Sequence, residues 1–240
     1  MNTRFSGRSI AAVGLGLFSI VMGGCAAAHT PPTFPTSVRV VAPPPTERVL
    51  LDEHFSTYSP YYREVRGHWG VVGGRLMQTR DEARELNTVR YYAPLTIADA
   101  EITTEATMMS DLPQFTTSDD DELLKTRRRI GGAGLVFRFQ DENNFYLFRM
   151  AGEDGVVLGK VVNGQWQELA NPRAEDFSGV RLRTDVPYEL RVRVVGRRIQ
   201  CWIADRAVAN LEDGSFTTGR VGLSTFRSKA AFNSLKIVER

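Results

Sequence analysis

The sequence is poor in the residues that build most catalytic, metal and redox sites. Its 240 residues include 2 cysteines and 3 histidines. It contains no Gly-x-Ser-x-Gly elbow, no His-Glu-x-x-His or Cys-x-x-Cys motif and no phosphate-binding loop. The glycine-rich stretch 131–134 opens a predicted strand rather than a helix, so its glycines are interpreted as turn residues. These absences exclude the hydrolases, zinc enzymes and nucleotide-binding proteins that such motifs mark.

A surplus of positive charge is also missing once the N-terminus is set aside. The 30 Lys and Arg against 28 Asp and Glu give a net charge of +2. Two of the arginines, Arg4 and Arg8, lie within residues 1–24, which hold no acidic residue. Without that segment, 28 basic residues face 28 acidic ones and the net charge is 0. Binding to nucleic acid relies on a basic surplus, and none is predicted.

Residues 1–24 are predicted to be a secretory signal. A basic start is followed by the apolar run 10–22, which is shorter than the roughly 20 residues of a membrane-spanning helix. Residues 21–25 read Val-Met-Gly-Gly-Cys and resemble the lipobox of bacterial lipoproteins. That resemblance implies cleavage before Cys25 and lipidation of its thiol. We therefore expect an extracytoplasmic protein anchored to the bacterial membrane through Cys25, at the outer membrane in a diderm.

The segment 25–47 is predicted to be a spacer. Six of the 11 prolines fall within it. Proline-rich chain favours extended polyproline conformation and builds neither helices nor sheet ladders. We expect this segment to be disordered and the folded domain to begin at residue 48.

No helical period is evident from residue 48 to residue 240. Short β-branched and aromatic runs alternate there with turn residues such as Asn163-Gly164, which is typical of an all-β sandwich or barrel. One two-sheet antiparallel sandwich accommodates so many short strands better than two domains, and 49–51 and 235–238 are expected to pair as edge strands. The predicted strands are 49–55, 68–72, 75–79, 88–92, 99–109, 132–140, 143–151, 155–162, 165–169, 187–195, 198–204, 206–210, 219–226 and 230–238.

Neither a disulfide nor a metal site is predicted. Strand alternation places Cys201 in the core, and a lipidated Cys25 leaves it without a partner. The insertion 110–130 carries four acidic residues at 119–122 and then four basic residues at 125–129, which cancel. It lacks the alternating oxygen ligands and the turn glycine of a calcium loop. A self-neutralising loop is the prediction, and no cofactor is identified.

Several segments, taken in order, carry a family resemblance. They are 132–146, 157–164, 219–223 and 231–235, preceded by Phe55, Trp69 and Gly74-Arg75-Leu76. Together they resemble the concanavalin A-like lectin/glucanase superfamily, and most of all its laminin G-like branch with the 3-keto-disaccharide hydrolase domain. The resemblance spans 48–240 and implies a two-sheet jelly roll with a concave face that often binds glycans.

Glu101 and Glu105 are the catalytic candidates. Laminarinase-type glucanases of this superfamily carry Glu-x-Asp-x-Glu on one strand, and here Thr103 replaces the middle Asp. Four strand residues span about 13 Å. A retaining pair needs carboxyl groups about 5–5.5 Å apart, so both side chains would have to lean inward. A solvated strand face is the alternative interpretation.

A sugar-binding face is the second candidate site. Glycan sites combine aromatic rings that stack on sugars with polar groups that bind hydroxyls. Alternation along 132–140 places Arg138 and Gln140 opposite the apolar side chains of that strand, Phe139 among them. The predicted ligand-binding residues are Arg138, Gln140, Tyr146, Lys160, Arg191, Arg193 and Trp202.

Three functions follow from these patterns. The leading one is a membrane-anchored lipoprotein whose jelly roll binds carbohydrate or cell-envelope glycan. A glycoside hydrolase acting on oligosaccharides or 3-keto-disaccharides is the first alternative. A non-catalytic structural or protein-interaction module is the second.

Overall fold

The computed structural model describes residues 47–79, 88–109, 131–152, 155–173 and 181–240. The predicted signal, nearly all of the spacer and the charged insertion 110–130 lie outside these residues. The described part contains fifteen strands and no helix. They are β1 (Val49–Glu53), β2 (Tyr62–Glu64), β3 (Trp69–Val72), β4 (Arg75–Gln78), β5 (Thr88–Ile97), β6 (Ala100–Met108), β7 (Gly132–Asp141), β8 (Asn144–Met150), β9 (Val156–Val162), β10 (Gln165–Ala170), β11 (Pro187–Val195), β12 (Arg198–Ile203), β13 (Arg206–Glu212), β14 (Gly219–Phe226) and β15 (Ala230–Glu239).

The strands form two antiparallel sheets. An eight-stranded sheet has the order β13-β12-β11-β6-β15-β4-β3, with β1 also paired to β15. A seven-stranded sheet has the order β10-β9-β8-β7-β14-β5-β2. Neighbours such as β7 and β14 are far apart in sequence, so each sheet is assembled by long-range pairing. No helix in the described ranges is long and apolar enough to span a membrane.

The main core lies between the two sheets. Strict alternation on β11 and β12 buries every second side chain, including Leu190, Val192 and Cys201. The seven-stranded sheet contributes large side chains such as Phe137 and Phe148 to the same cluster. The burial predicted for Cys201 is confirmed, and complete burial raises the pKa of its thiol.

β1 pairs with β15, as the sequence predicted. Glu53 lies opposite Leu235, and the Glu239 amide donates to the Arg48 carbonyl at 2.9 Å. The prediction that 235–238 forms an edge strand was wrong, because β15 also pairs with β6 and β4. The last strand is therefore central to its sheet.

A bulge in β7 overturns the predicted faces of that strand. Arg138 has φ +46°, and the pairing of β7 with β8 shifts between Phe137 and Asp141. Phe137 therefore points into the main core, whereas Phe139 packs on the opposite face of the sheet against Tyr91, at 4.9 Å between ring centroids. An inserted residue reverses the alternation beyond it.

A candidate ligand pocket on the outer face of the seven-stranded sheet

The seven-stranded sheet is apolar on both faces. Its outer face carries a second buried cluster, formed by Val89, Val136, Phe139, Phe145, Leu147 and Val161. The outer face of an antiparallel sheet is usually solvated and polar. The apolar outer face of this sheet departs from that pattern.

A pocket of about 420 Å³ lies over this cluster. Its floor is formed by Val89, Phe145, Leu147 and Val161, which come from three strands of the sheet. Cavities that hold small ligands usually measure about 300–1,000 Å³ and are largely apolar with a few polar groups. The size and the floor of the pocket fit that description.

Trp166 on β10 forms one wall and is 43% exposed. It faces Val161 in the strand ladder, and its ring extends over Gly159 of β9. A Cβ atom at Gly159 would lie 2.3 Å from Cη2 and 2.4 Å from Cζ2 of the indole. Glycine at this position thus leaves room for the ring over the sheet.

Phe226 and Arg149 line the pocket together. The Arg149 guanidinium lies 4.3 Å from the centroid of the Phe226 ring, within cation-π range. Its Nη1 donates to the Met150 carbonyl at 3.2 Å, and its buried Nε has no hydrogen-bond partner among the described residues. Burial lowers the pKa of Arg149 to about 10, opposed by the charge of Glu168, so the side chain remains cationic at neutral pH.

The polar rim is held by two hairpin turns. Arg66 and Glu142 form an exposed ion pair at 3.2 Å. Next to them, the amide of Asn143 donates to Asp141, and the Asn143 carbonyl accepts from the Gly164 amide at 3.0 Å. These bonds fix Asn143 at the mouth of the pocket.

Three of the described lining residues are ionisable, namely Arg66, Glu142 and Arg149. Glu142 is the one carboxylate among the described lining residues, whereas glycoside hydrolysis ordinarily uses two. Within the part of the chain that the structure describes, no group of three or more His, Cys, Asp or Glu side chains is placed to hold a metal ion.

The predicted catalytic pair lies elsewhere. Glu101 and Glu105 are on β6 of the eight-stranded sheet, and they alternate with core residues such as Ile102, so they face outward. Glu101 accepts from Arg240 at 3.0 Å, and Glu105 accepts from Asn233. The two carboxylates are on the opposite side of the sandwich from the pocket.

Three predicted ligand residues lie inside the fold. Arg138 is fully buried and donates to the carbonyls of Ala98 and Phe216, at 3.0 Å each. Tyr146 and Lys160 both donate to Asp213, at 2.5 and 2.6 Å. Burial opposes ionisation of Asp213, but these hydrogen bonds and one from Ser215 outweigh it and hold its pKa well below the usual value. Burial and the bond to Asp213 raise the pKa of Tyr146 to about 12.

The other four predicted ligand residues lie nearer the surface, and three of them share one outer face. Arg191, Arg193 and Trp202 lie on the outer face of the eight-stranded sheet, where the Arg191 guanidinium is 5.1 Å from the Trp202 ring centroid. Gln140 is exposed and donates to the Arg138 and Thr218 carbonyls. None of the seven predicted ligand residues lines the pocket.

The pocket residues themselves carried a weak sequence signal. The segment Phe145–Met150 is apolar on both faces of its strand, which prevents assignment of either face to the core. The structure explains why both faces are apolar. Tyr146 and Phe148 enter the main core, while Phe145 and Leu147 form part of the pocket floor.

Comparison with known proteins identifies the fold. No protein-family model matches the chain, and no curated protein matches it by sequence. Among solved structures, carbohydrate-binding module CBM66 from Bacillus subtilis is 21% identical with a TM-score of 0.57, covering 72% of this chain and 92% of its own. A Bacillus subtilis protein of unknown function with a galectin-like fold is 13% identical with a TM-score of 0.55, and the match covers 81% of this chain and 100% of that protein. The Bacillus licheniformis β-glucanase is 9% identical with a TM-score of 0.53, and the match covers 79% of this chain and 98% of the glucanase.

These likenesses define the class of fold. The chain is an all-β protein with the two-sheet antiparallel jelly-roll sandwich of the galectin-like and β-glucanase structures, as the sequence predicted. The narrower assignment to the laminin G-like, 3-keto-disaccharide hydrolase branch stays a prediction.

Proposed function

We propose that the protein binds carbohydrate in the pocket on the outer face of its seven-stranded sheet. The observation that carries the proposal is the exposed ring of Trp166 beside an apolar floor and a polar rim. An aromatic ring can stack on the apolar face of a sugar, while polar rim groups can bind its hydroxyls. The fold is shared with a carbohydrate-binding module, which supports the proposal at that coarse level.

The rim supplies complementary hydrogen-bonding groups. Arg66 offers donors, Glu142 offers acceptors and the Asn143 side chain offers both. A sugar hydroxyl both donates and accepts, so this mixture suits a saccharide better than a purely apolar ligand. The Arg66–Glu142 pair is about half exposed, and it can exchange its mutual contact for contacts with a ligand.

The proposed function includes a lipid anchor at Cys25 that displays the domain on the bacterial membrane. It rests on the lipobox-like residues 21–25 and on the apolar run before them. A Cys25→Ser substitution should move the protein from the membrane fraction to the soluble fraction. Retention of that variant in the membrane would contradict a lipid anchor at Cys25.

Glycan-array binding followed by calorimetry tests the carbohydrate site. Trp166→Ala should weaken the affinity for a bound glycan at least about tenfold, about 1.4 kcal/mol, because the stacking surface is lost. Trp202→Ala is the matched control, since that ring lies on the other sheet, and it should leave the affinity unchanged. Equal effects of the two substitutions would place the site elsewhere, and an array without any ligand would favour an interaction module.

A further inference from the structure

Among the described lining residues of the pocket, positive charge exceeds negative charge. Of its charged lining residues, Arg66 and Glu142 pair with each other. Arg149 forms no ion pair among the described residues, in contrast to the buried Arg90, which pairs with Glu64. Glu168 favours the charged form of Arg149 from beyond ion-pair distance. A partly buried cation with no carboxylate in direct contact recovers little of the hydration that it loses.

The hydrogen-bonding capacity of Arg149 is also largely unused. A guanidinium has five N–H donors. Among the described residues, this side chain donates one hydrogen bond, to the Met150 carbonyl, and its buried Nε has no partner. The guanidinium therefore lies in the pocket with most of its N–H donors unused by the described residues.

Neighbouring residues hold the guanidinium in place. The Phe226 ring is close to two guanidinium groups, that of Arg149 at 4.3 Å and that of Arg227 at 5.3 Å from its centroid. A Cβ atom at Gly132 would lie 2.6 Å from Nη1 of Arg149, so glycine there makes the space that the group occupies. Cation-π contact engages the face of a guanidinium and leaves its edge free for in-plane hydrogen bonds.

We propose that the pocket selects an acidic saccharide, a uronic acid unit whose carboxylate is bound by the edge of Arg149. This inference rests on the proposed carbohydrate function and names the ligand class of the same site. A carboxylate fits because its two oxygens match the fork of a guanidinium and supply a counter-charge in direct contact with it. Trp166 and the rim then contact the sugar ring that carries the acid.

Three related ligands test the inference on the unmodified protein. Calorimetry would compare a glucuronic-acid-containing disaccharide, its methyl ester and its carboxyl-reduced glucose counterpart. The free acid should bind at least about tenfold more tightly than the other two, because only it carries the negative charge. That comparison needs no variant, so a folding defect cannot obscure it.

Substitutions then assign the preference to Arg149. Arg149→Met should abolish the advantage of the free acid while keeping binding of the neutral disaccharide. Arg220→Met is the matched control, since Arg220 also lies near an aromatic ring of this sheet, 5.4 Å from Tyr91, but outside the pocket lining. It should preserve the advantage.

The outcomes separate the two proposals. Equal affinity for acid and neutral disaccharides would overturn the acidic-saccharide inference and leave carbohydrate binding intact. No binding of any saccharide would overturn both. A sulfated disaccharide that binds as tightly as the uronide would overturn the assignment to a carboxylate, and loss of the preference in Arg220→Met as well would overturn the role of Arg149.

Discussion

The indole of Trp166 occupies the space that a side chain at Gly159 would need. The two residues are on adjacent strands, β10 and β9, and the nearest indole atom is 2.3 Å from an ideal Cβ position. The exposed wall of the pocket therefore depends on a residue that has no side chain.

Gly159→Ala should displace the ring and weaken saccharide binding about tenfold, about 1.4 kcal/mol. The same methyl group would approach the Gln167 carbonyl at 2.8 Å, so we also expect a stability loss of about 1–3 kcal/mol. Calorimetry and urea unfolding measure the two effects.

A double-mutant cycle with Trp166→Ala checks the cause of the lost affinity. If Gly159→Ala acts through the ring, it should cost no further affinity once the ring is removed. Additive losses would show that Gly159 contributes independently of Trp166.

Asp213 should make stability depend on pH. Its pKa in the folded protein is lowered by bonds from Lys160, Tyr146 and Ser215 that overcome burial. Its contribution is therefore complete above the unfolded-state pKa of about 3.9 and is lost as the pH falls through the lower folded-state value. Asp213→Asn leaves the partly buried Lys160 without its counter-charge and should cost about 3 kcal/mol near pH 7.

The difference in free energy of unfolding between the wild type and Asp213→Asn should become smaller below about pH 4. In that range Asp213 of the wild type becomes protonated, and its stabilising contribution, which the variant lacks at every pH, is lost. Urea unfolding at several pH values measures it. Asp205→Asn is the control, since Asp205 is 87% exposed in its pair with Arg191, and it should cost less than about 1 kcal/mol. A difference in unfolding free energy that stays constant at all pH values would contradict a stabilising role for the ionised Asp213 carboxylate.

Arg138 should be a structural residue. Its guanidinium satisfies the buried carbonyls of Ala98 and Phe216. Arg138→Met would leave these acceptors unpaired and should cost about 3 kcal/mol. Arg193→Met, which breaks a partly exposed contact with Glu101 at 3.7 Å, should cost less than about 1 kcal/mol. Chemical unfolding would rank the two variants, and the reverse order would contradict this role.

Glu101→Gln tests the hydrolase alternative. Glu101 interacts with Arg240 and Arg193 on the outer face of the eight-stranded sheet. We therefore expect glycan affinity to stay within about twofold of wild type. Reducing-sugar release and 3-keto-disaccharide turnover would be measured alongside. Turnover in the wild type that disappears in a folded Glu101→Gln variant would favour the enzyme over the binding protein.

The sandwich could be predicted because most strands alternate strictly between turns. β2 was missed because three residues are too few to show a period. β5 was predicted to end at residue 92, yet the strand runs past Pro94 to Ile97. Proline is disfavoured within a regular ladder. The ladder explains this, since Tyr92 pairs with Val221 and Ile97 pairs with Gly219, so Pro94 lies in the irregular stretch between them.

The pocket could not be predicted from local patterns. Arg66, Arg149, Trp166 and Phe226 are separated along the chain, and only the order of strands in the sheet brings them together. The bulge at Arg138 also places Phe139 on the face opposite to the one that simple alternation predicts. The spacing of Glu101 and Glu105 is a local feature, whereas the sheet that their strand joins is set by long-range pairing.

The bond between Glu239 and Arg48 has a topological consequence. It brings the first and last strands of the domain to one point, with the two side chains also paired at 3.1 Å. A short linker could join these ends, and the chain could be opened instead at the exposed turn Gly196–Arg197 between β11 and β12. Such a circular permutant would keep every strand beside its present neighbours, because the sandwich depends on adjacency across the sheets rather than on the order of strands along the chain.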